Sequence, residues 1–274
     1  MPELPEVEQV RCSLLPHIKN EIICNVEIRL PRMIVHPAVP EFIAGVEGQV
    51  ITDVRRKGKY LMLLLKNGQY ILAHLRMTGA LLVCPHDGTE PPFAKIRFVL
   101  ANGKDMWFTD IRTFGTMSLC GGNDAWQDKG FAALGPEPLS AGFTETYLRD
   151  RLKKSHQMVK CFILDQHKIA GMGNIYADEA LAAAGIRPTR YSDALTNKQI
   201  HVLYEAINQV IDQGLRNHGT TFRNYQDADG LMGNNKDYLL VYGRKGRPCT
   251  KCGTPLKQIK VGGRGSVYCP RCQK

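Results

Sequence analysis

The chain has 274 residues, 43% of them apolar and 23% charged, with 36 Lys and Arg against 26 Asp and Glu. That length and apolar content suit one large or two modest domains with a true core, and they exclude wholesale disorder. No apolar run approaches the roughly 20 residues of a membrane span, and the acidic, proline-rich start Met1-Pro2-Glu3-Leu4-Pro5-Glu6 does not read as a signal peptide, so the cytosol is the expected compartment.

Val7, Val10, Leu14 and Ile18 recur at helical spacing, which predicts an amphipathic helix starting near Pro5 and weakening by Pro16. Extended segments follow. Lys59–Leu65 and Tyr70–Leu75 flank Asn67-Gly68, and Ile96–Leu100 and Asp105–Phe108 flank Asn102-Gly103. Both read as β-hairpins, with Asn-Gly expected to hold positive φ at both turn residues. An antiparallel sheet domain with one early helix therefore fills about residues 1–130. Leu134-Gly135-Pro136-Glu137-Pro138 interrupts the pattern as a linker. Beyond it the period turns helical. A stretch spans about Ser155–Leu164, the turn Ala170-Gly171-Met172-Gly173 leads into a helix over Asn174–Ala184, and Ile200, Leu203, Ile207, Ile211 and Leu215 form a further stripe. Thr196 and Gln199 supply a capping box for that last helix, and Gly219 is a plausible stop.

Charge is unevenly placed. Residues 1–140 carry 15 basic and 15 acidic side chains, residues 141–274 carry 21 and 11, and Arg244–Lys274 holds nine Lys/Arg with no acid. Such a one-sided field suits a polyanion such as nucleic acid, because neutralised phosphates release counterions; a solvated basic tail is the plainer alternative. Five cysteines are scattered, but Cys249-x2-Cys252 and Cys269-x2-Cys272 form two knuckles separated by 16 residues. Together they offer four thiolates to one structural Zn²⁺ with no open position. Disulfides, the other use of such pairs, do not suit a cytosolic chain.

Three signatures in register, Pro2-Glu3-Leu4-Pro5-Glu6-Val7-Glu8, Gly171-Met172-Gly173-Asn174-Ile175-Tyr176 and Gly263-Arg264-Gly265, resemble those of the bacterial formamidopyrimidine-DNA glycosylases, 8-oxoguanine glycosylases with AP lyase activity. The resemblance runs from first residue to last. It implies an α+β fold: an N-terminal antiparallel β-sandwich over residues 1–134, a helix-two-turn-helix domain with a lesion-capping loop over 135–238, and a zinc-bearing β-hairpin over 239–274. It further implies action on double-stranded DNA that contains oxidised bases or abasic sites, in the bacterial cytoplasm and nucleoid; with no heptad repeat, large apolar surface stripe or membrane-length apolar run in the sequence, a monomer away from any membrane is expected. The reaction implied is excision of 8-oxoguanine and formamidopyrimidines followed by β,δ-elimination.

The same resemblance assigns residues. Removal of Met1 exposes the secondary amine of Pro2, and an α-amino group titrates near about 8, far below a lysine, so it is a competent nucleophile at neutral pH. Glu3 becomes the general acid; Glu6 is either a second catalytic carboxylate or an ordinary acid of the first helical turn. Lys59 and Arg264 match the phosphate-binding lysine and arginine that assist elimination. His74, Lys95, Lys154, Asn174, Tyr242 and Lys260 fall among the DNA contacts, with Asn174 also able to cap its helix. Met77, Arg112 and Phe114 match the side chains that fill the void left by the flipped base. Thr220, Phe222, Arg223, Asn224 and Tyr225 match the loop that reads the lesion. One position departs: the family usually has His-x-His where Phe93-Ala94-Lys95 stands here, which removes one donor to the DNA backbone.

Two other readings compete. An endonuclease VIII-like enzyme for oxidised pyrimidines shares the terminal proline and zinc hairpin, but Leu4, Arg112-x-Phe114 and the long Thr220–Lys236 loop favour the purine branch. A non-catalytic zinc-ribbon DNA-binding protein explains the basic end and leaves the first seven residues without a purpose.

Overall fold

The first helix forms where the apolar spacing places it. In the computed structural model, which describes residues 1–122, 126–222 and 225–274, α1 spans Leu4–Ile18 and buries Val7, Val10, Leu14 and Ile18 completely. Pro16 does not end it. This proline sits in the last turn, where its missing amide costs one hydrogen bond, and the Lys19 amide still reaches the Leu15 carbonyl at 3.0 Å.

Contacts divide the chain into two units, Met1–Ala132 with Asn217–Asn234, and Ala133–Arg216 with Asn235–Lys274. The first is a two-sheet sandwich. Its elements after α1 are β1 (Ile23–Ile28), β2 (Ile34–His36), α2 (Val39–Val46), β3 (Ile51–Lys57), β4 (Tyr60–Leu65), β5 (Gln69–His74), β6 (Gly79–Pro85), β7 (Ala94–Leu100), β8 (Lys104–Asp110), β9 (Thr116–Gly121) and the single turn α3 (Lys129–Ala132). One sheet has the order β1-β7-β8-β6 and the other β2-β9-β5-β4-β3. Pairing is antiparallel except between β2 and β9, which run parallel. Strand alternation is plainest in β7, where Ala94, Ile96, Phe98 and Leu100 point into the core and the residues between them do not. Ile96, Phe98 and Leu100 meet Leu61 and Leu63 of β4, Ile71 of β5, Phe108 of β8 and the buried stripe of α1 in one apolar cluster.

Both expected hairpins are present, with a different turn. The strands are joined by Lys66-Asn67-Gly68 and by Ala101-Asn102-Gly103, three residues each. Only the glycines, at φ 85° and 76°, are left-handed. The amides of Gly68 and Gly103 return to Leu65 and Leu100 at 3.1 and 3.3 Å. A three-residue loop of this form needs positive φ only at its last residue, so asparagine keeps an ordinary conformation.

The second unit contains α4 (Glu145–Lys153), α5 (Val159–Leu164), α6 (Asn174–Ala183), α7 (Asn197–Arg216) and the hairpin β10 (Lys257–Val261) and β11 (Arg264–Tyr268). The capping box of α7 is formed: the Thr196 amide donates to Gln199 Oε1 at 3.0 Å and the Gln199 amide to Thr196 Oγ1 at 3.2 Å. α4 was not legible in the sequence because only Leu148 and Leu152 of its nine residues are buried, too few to show a period. α5 is shorter than expected, since Met158 bridges Tyr191 and the Val159 amide is bonded to Arg190. No helix among the described residues is long and apolar enough to cross a membrane.

Residues 217–234, which sequence order groups with the helices, are bonded into the first unit instead. Their amides and side chains find partners on α1 and β6, among them Val83 N–H to Ala228 O at 3.0 Å and Ala228 N–H to Ser13 Oγ at 2.9 Å.

α7 meets α6 where Gly214 faces Tyr176; a Cβ there would lie 2.5 Å from the tyrosine hydroxyl and 2.6 Å from its ring. Gly214→Ala is therefore expected to destabilise the protein by about 1–3 kcal/mol despite alanine's better helix propensity. Urea unfolding at neutral pH checks the sign.

Candidate active site and zinc centre

The N-terminus of α1 is unusually buried for a chain end. Pro2 is buried, and Glu3 and Glu6 are only 2% and 1% exposed. A capping box closes the first turn, with the Glu3 amide donating to Glu6 Oε2 at 2.7 Å. The other oxygen of Glu6 is also committed: Oε1 accepts the Thr220 amide at 2.7 Å. One carboxylate thus fastens both the residue beside Pro2 and the loop of residues 217–234. Gly219 (φ 82°) permits the approach, because a Cβ there would lie 2.9 Å from Glu6 Cγ.

More bonds lace this loop to α1. Gln9 Nε2 donates to Asp227 at 3.1 Å, and the Tyr225 hydroxyl lies 3.2 Å from the Glu6 carbonyl and 3.4 Å from that of His218. Burial and the nearby Glu6 charge push the Tyr225 phenol well above its ordinary range, so it stays a protonated donor. Thr221 Oγ1 bonds Tyr225 O at 3.2 Å and accepts the Gly233 amide at 2.9 Å, which folds the loop on itself. Thr220 and Tyr225 are placed against Glu6, and Phe222 is 38% exposed. Arg223 and Asn224 lie outside the described residues.

Lys59 is 6% exposed in the tight turn between β3 and β4, whose other corner is Gly58 at φ 60°. His74 pairs with Tyr60 across the strands and meets its ring edge-on, centroids 4.5 Å apart. Burial, with the charges of Arg76 and Lys59 adding to it, holds the His74 pKa down to about 3. Its Nδ1 accepts the Arg76 amide at 3.0 Å, so the neutral ring carries its proton on Nε2.

Met77, Arg112 and Phe114 are brought together. Arg112 Nη1 lies 3.6 Å from Met77 Sδ, its guanidinium is 5.5 Å above the Phe114 ring, and Met77 and Phe114 are 42% and 55% exposed. Their backbones are tied by Asp110, a buried residue that sequence reasoning missed. Asp110 accepts the amides of Arg112 (3.1 Å) and Gly115 (2.7 Å) and the hydroxyl of Thr78, which in turn accepts the Arg112 amide at 2.9 Å. Phe93 stands nearby in the chain path, its carbonyl accepting the Asp110 amide at 3.1 Å, with φ 63° and 54% exposure. Lys95, two residues on, is half-buried in β7.

In the second unit Arg264 opens β11, exposed, just after Gly262 and Gly263, both left-handed. Lys260 is exposed on β10 opposite Gly265. Asn174 is the first residue of α6 rather than its cap, which is Gly173; its Nδ2 donates to the Gly265 carbonyl at 3.1 Å. The Tyr242 amide donates to buried Glu179, which also takes the amides of Leu240 and Val241. Lys154 is exposed at the end of α4.

The four cysteine sulfurs lie within 4.8 Å of one another. Cys249 and Cys272 are 4.0 Å apart and Cys252 and Cys269 3.5 Å. A tetrahedral Zn²⁺ with bonds of about 2.3 Å needs sulfurs about 3.8 Å apart, so the set fits one ion. The knuckle turn is built for it: the Gly253 amide returns to Cys249 O at 2.9 Å with Gly253 at φ 73°.

Comparison with known proteins gives matches over three segments. Residues 1–117 match the formamidopyrimidine-DNA glycosylase N-terminal domain, 134–226 the H2TH domain of that enzyme, and 246–274 a zinc finger found in FPG and IleRS. The chain is 44% identical over 276 residues to the formamidopyrimidine-DNA glycosylase of Pelotomaculum thermopropionicum, spanning 100% of this chain and 99% of that one. The chain belongs to the formamidopyrimidine-DNA glycosylase family. Solved structures agree. A Lactococcus lactis FPG mutant in complex with Fapy-dG containing DNA is 33% identical with a TM-score of 0.93 over 100% of both chains. MutM (FPG) from Thermus thermophilus is 36% identical with a TM-score of 0.90 over 99% and 98%. The four-cysteine module is accordingly the family's zinc finger, with Cys249, Cys252, Cys269 and Cys272 placed to hold one zinc ion.

Two outcomes are expected. Below pH 6.5 the unfolded chain protonates at His74 while the folded chain does not until about pH 3, so this residue removes stability as pH falls through that window. His74→Gln should flatten the acid limb of the stability curve, read from urea midpoints at successive pH. A strong chelator should remove one zinc per chain and strip hydrogen-exchange protection from residues 257–268 while β7 and β8 keep theirs.

Proposed function

We propose that this chain excises oxidised purines, 8-oxoguanine and formamidopyrimidines, from double-stranded DNA and then cuts the strand by β,δ-elimination, as a base-excision repair enzyme. The reading rests above all on the Glu6 carboxylate, which holds the first residues of α1 and the loop after α7 on its two oxygens. A nucleophile and a base-reading loop joined in this way make one reaction site. Family membership over the whole chain supports it, as do relatives solved with abasic-site DNA and with carbocyclic 8-oxo-G containing DNA.

Once Met1 is removed, Pro2 supplies a secondary amine at the positive end of α1, which opposes its protonation. The amine attacks the deoxyribose C1′ while Glu3 protonates the ring oxygen, and the damaged base departs with its bonding electrons. The nitrogen, its proton lost, then expels the protonated ring oxygen, so the C1′–O4′ bond breaks, the sugar opens and an iminium forms. Loss of a C2′ proton expels the 3′ phosphate, a further elimination expels the 5′ phosphate, and water releases Pro2. Lys59 and Arg264 bind the phosphates that leave; a guanidinium suits bidentate contact. Met77, Arg112 and Phe114 occupy the vacated stack, while Thr220, Phe222, Arg223, Asn224 and Tyr225 cap the flipped purine. His74, Lys95, Lys154, Asn174, Tyr242 and Lys260 add backbone contacts. Glu6 is a positioning carboxylate in this scheme, since both its oxygens are engaged with amides. Zinc shapes the hairpin and takes no part in the chemistry. The enzyme acts as a monomer in the cytoplasm, with functional segments meeting near residues 134 and 238.

Borohydride trapping tests the proposal. Mature protein with a duplex carrying 8-oxoguanine opposite cytosine should give a covalent adduct, and a chain extended before Pro2 should give none. Absence of the adduct, or faster cutting at thymine glycol in a matched duplex, overturns it.

A further inference from the structure

Among the described residues Lys160 is the one lysine wholly buried, at 0% exposure, and no step above uses it. It is the second residue of α5, and its ammonium reaches three acceptors: Asp178 Oδ1 at 2.7 Å, Ser266 Oγ at 2.6 Å and the Gly265 carbonyl at 3.0 Å. Asp178, on α6 and equally buried, is shared in the same way. Its Oδ1 also accepts the Ser266 hydroxyl at 2.9 Å, and Oδ2 accepts the Val267 amide at 3.0 Å. Gly265, Ser266 and Val267 are the three residues that follow Arg264. Asn174 Nδ2 takes the same Gly265 carbonyl at 3.1 Å, and Cys161, next to Lys160, lies under Gly262 so closely that a Cβ there would be 2.5 Å from its sulfur.

We infer that Lys160 and Asp178 are positioning residues for Arg264, and that they set where the arginine meets the lesion's phosphates. The inference rests on the phosphate role given to Arg264 above. For stability alone an apolar pair of like volume would serve as well or better, because both charges lose their solvation. Buried charges give something an apolar pair does not, which is direction. Three N–H bonds of one ammonium go to three fixed points, and both carboxylate oxygens face successive residues of β11. A strand slipped by one residue would turn Arg264 to the opposite face of the hairpin. The pair forbids that slip at the end of the hairpin away from the metal, and it fixes Arg264 relative to Asn174 at the start of α6. Neither residue touches substrate; both act through the backbone that carries the arginine.

The test is single-turnover cleavage of an abasic-site duplex at saturating protein, with the β and δ products resolved on a gel. Lys160→Met combined with Asp178→Leu removes both charges, so neither is stranded. Zinc content and thermal melting report the fold. Adduct trapping by borohydride should stay within about twofold of wild type while the δ step slows by about tenfold or more. In an Arg264→Ala background the same pair of changes should cause no further loss, because residues acting through one side chain are not additive. A general structural defect would lower both steps and would add to Arg264→Ala. Ser266→Ala, which strands no charge, decides the matter if the double variant does not fold: a slowed δ step that disappears in the Arg264→Ala background supports the inference. A wild-type δ rate in a folded, zinc-loaded variant, or additive losses, overturns it. If Arg264→Ala alone leaves the δ step intact, the phosphate role of Arg264 has failed and the inference falls with it.

Discussion

A carboxylate taken out of water must be met by hydrogen-bond donors, and at four buried acids of this protein those donors include backbone amides of the segments packed against them. Glu6 takes the amides of Glu3 and Thr220, Asp110 those of Arg112 and Gly115, Asp178 that of Val267, and Glu179 those of Leu240, Val241 and Tyr242. All four acids are 3% exposed or less. Removing any one strands its amides, each at a cost of about 1–3 kcal/mol. That shared dependence makes each loop adopt one shape. The rest of the fold supplies rigid places from which the acids reach: the first turn of α1, the end of β8 and the middle of α6.

These acids explain what was and was not legible in the sequence. The sandwich core was readable because β7 alternates cleanly and α1 repeats at helical spacing; both signals are local. The zinc site was readable because a metal demands a fixed ligand set at short spacing. Loop-holding acids carry no local mark. Asp178 and Glu179 drew no notice in the sequence, yet α6 is buried nearly all round and both point inward. Asp110 carried no assigned role in the sequence; only its partners, two and five residues on, reveal its use. Glu6 did carry a mark, the capping-box spacing, but its second bond spans 214 residues and no local pattern shows that.

Chain order misleads in the same way. Residues 217–234 follow directly on α7, yet their partners Ser13, Gln9 and Glu6 belong to α1 and Val83 to β6. Local propensity explains why the helix stops, at left-handed His218 and Gly219. Where the chain goes next is decided by acceptors laid down about two hundred residues earlier. The turns show the reverse case. Asn-Gly marked both hairpins correctly, and the one extra loop residue, which alters φ at the asparagine, is a difference of register that composition does not encode.

The division between held backbone and free side chain follows from what a DNA-repair site has to do. A group that will meet a phosphate or fill a gap in stacked bases must give up water or a loose contact when DNA arrives, so strong internal bonds at its tip would compete with the ligand. Met77 and Phe114 meet the Arg112 side chain loosely and remain half-open to solvent, and Arg264 is exposed at a glycine turn. Yet the amides of Arg112 and Gly115, and residues 265–267 after Arg264, are fixed to buried charges. On the function proposed above, free tips on fixed stems lose little ordering entropy on binding while keeping the geometry that elimination requires. On that reading, burial of charge, costly for stability, is the means by which exposed chemistry is aimed.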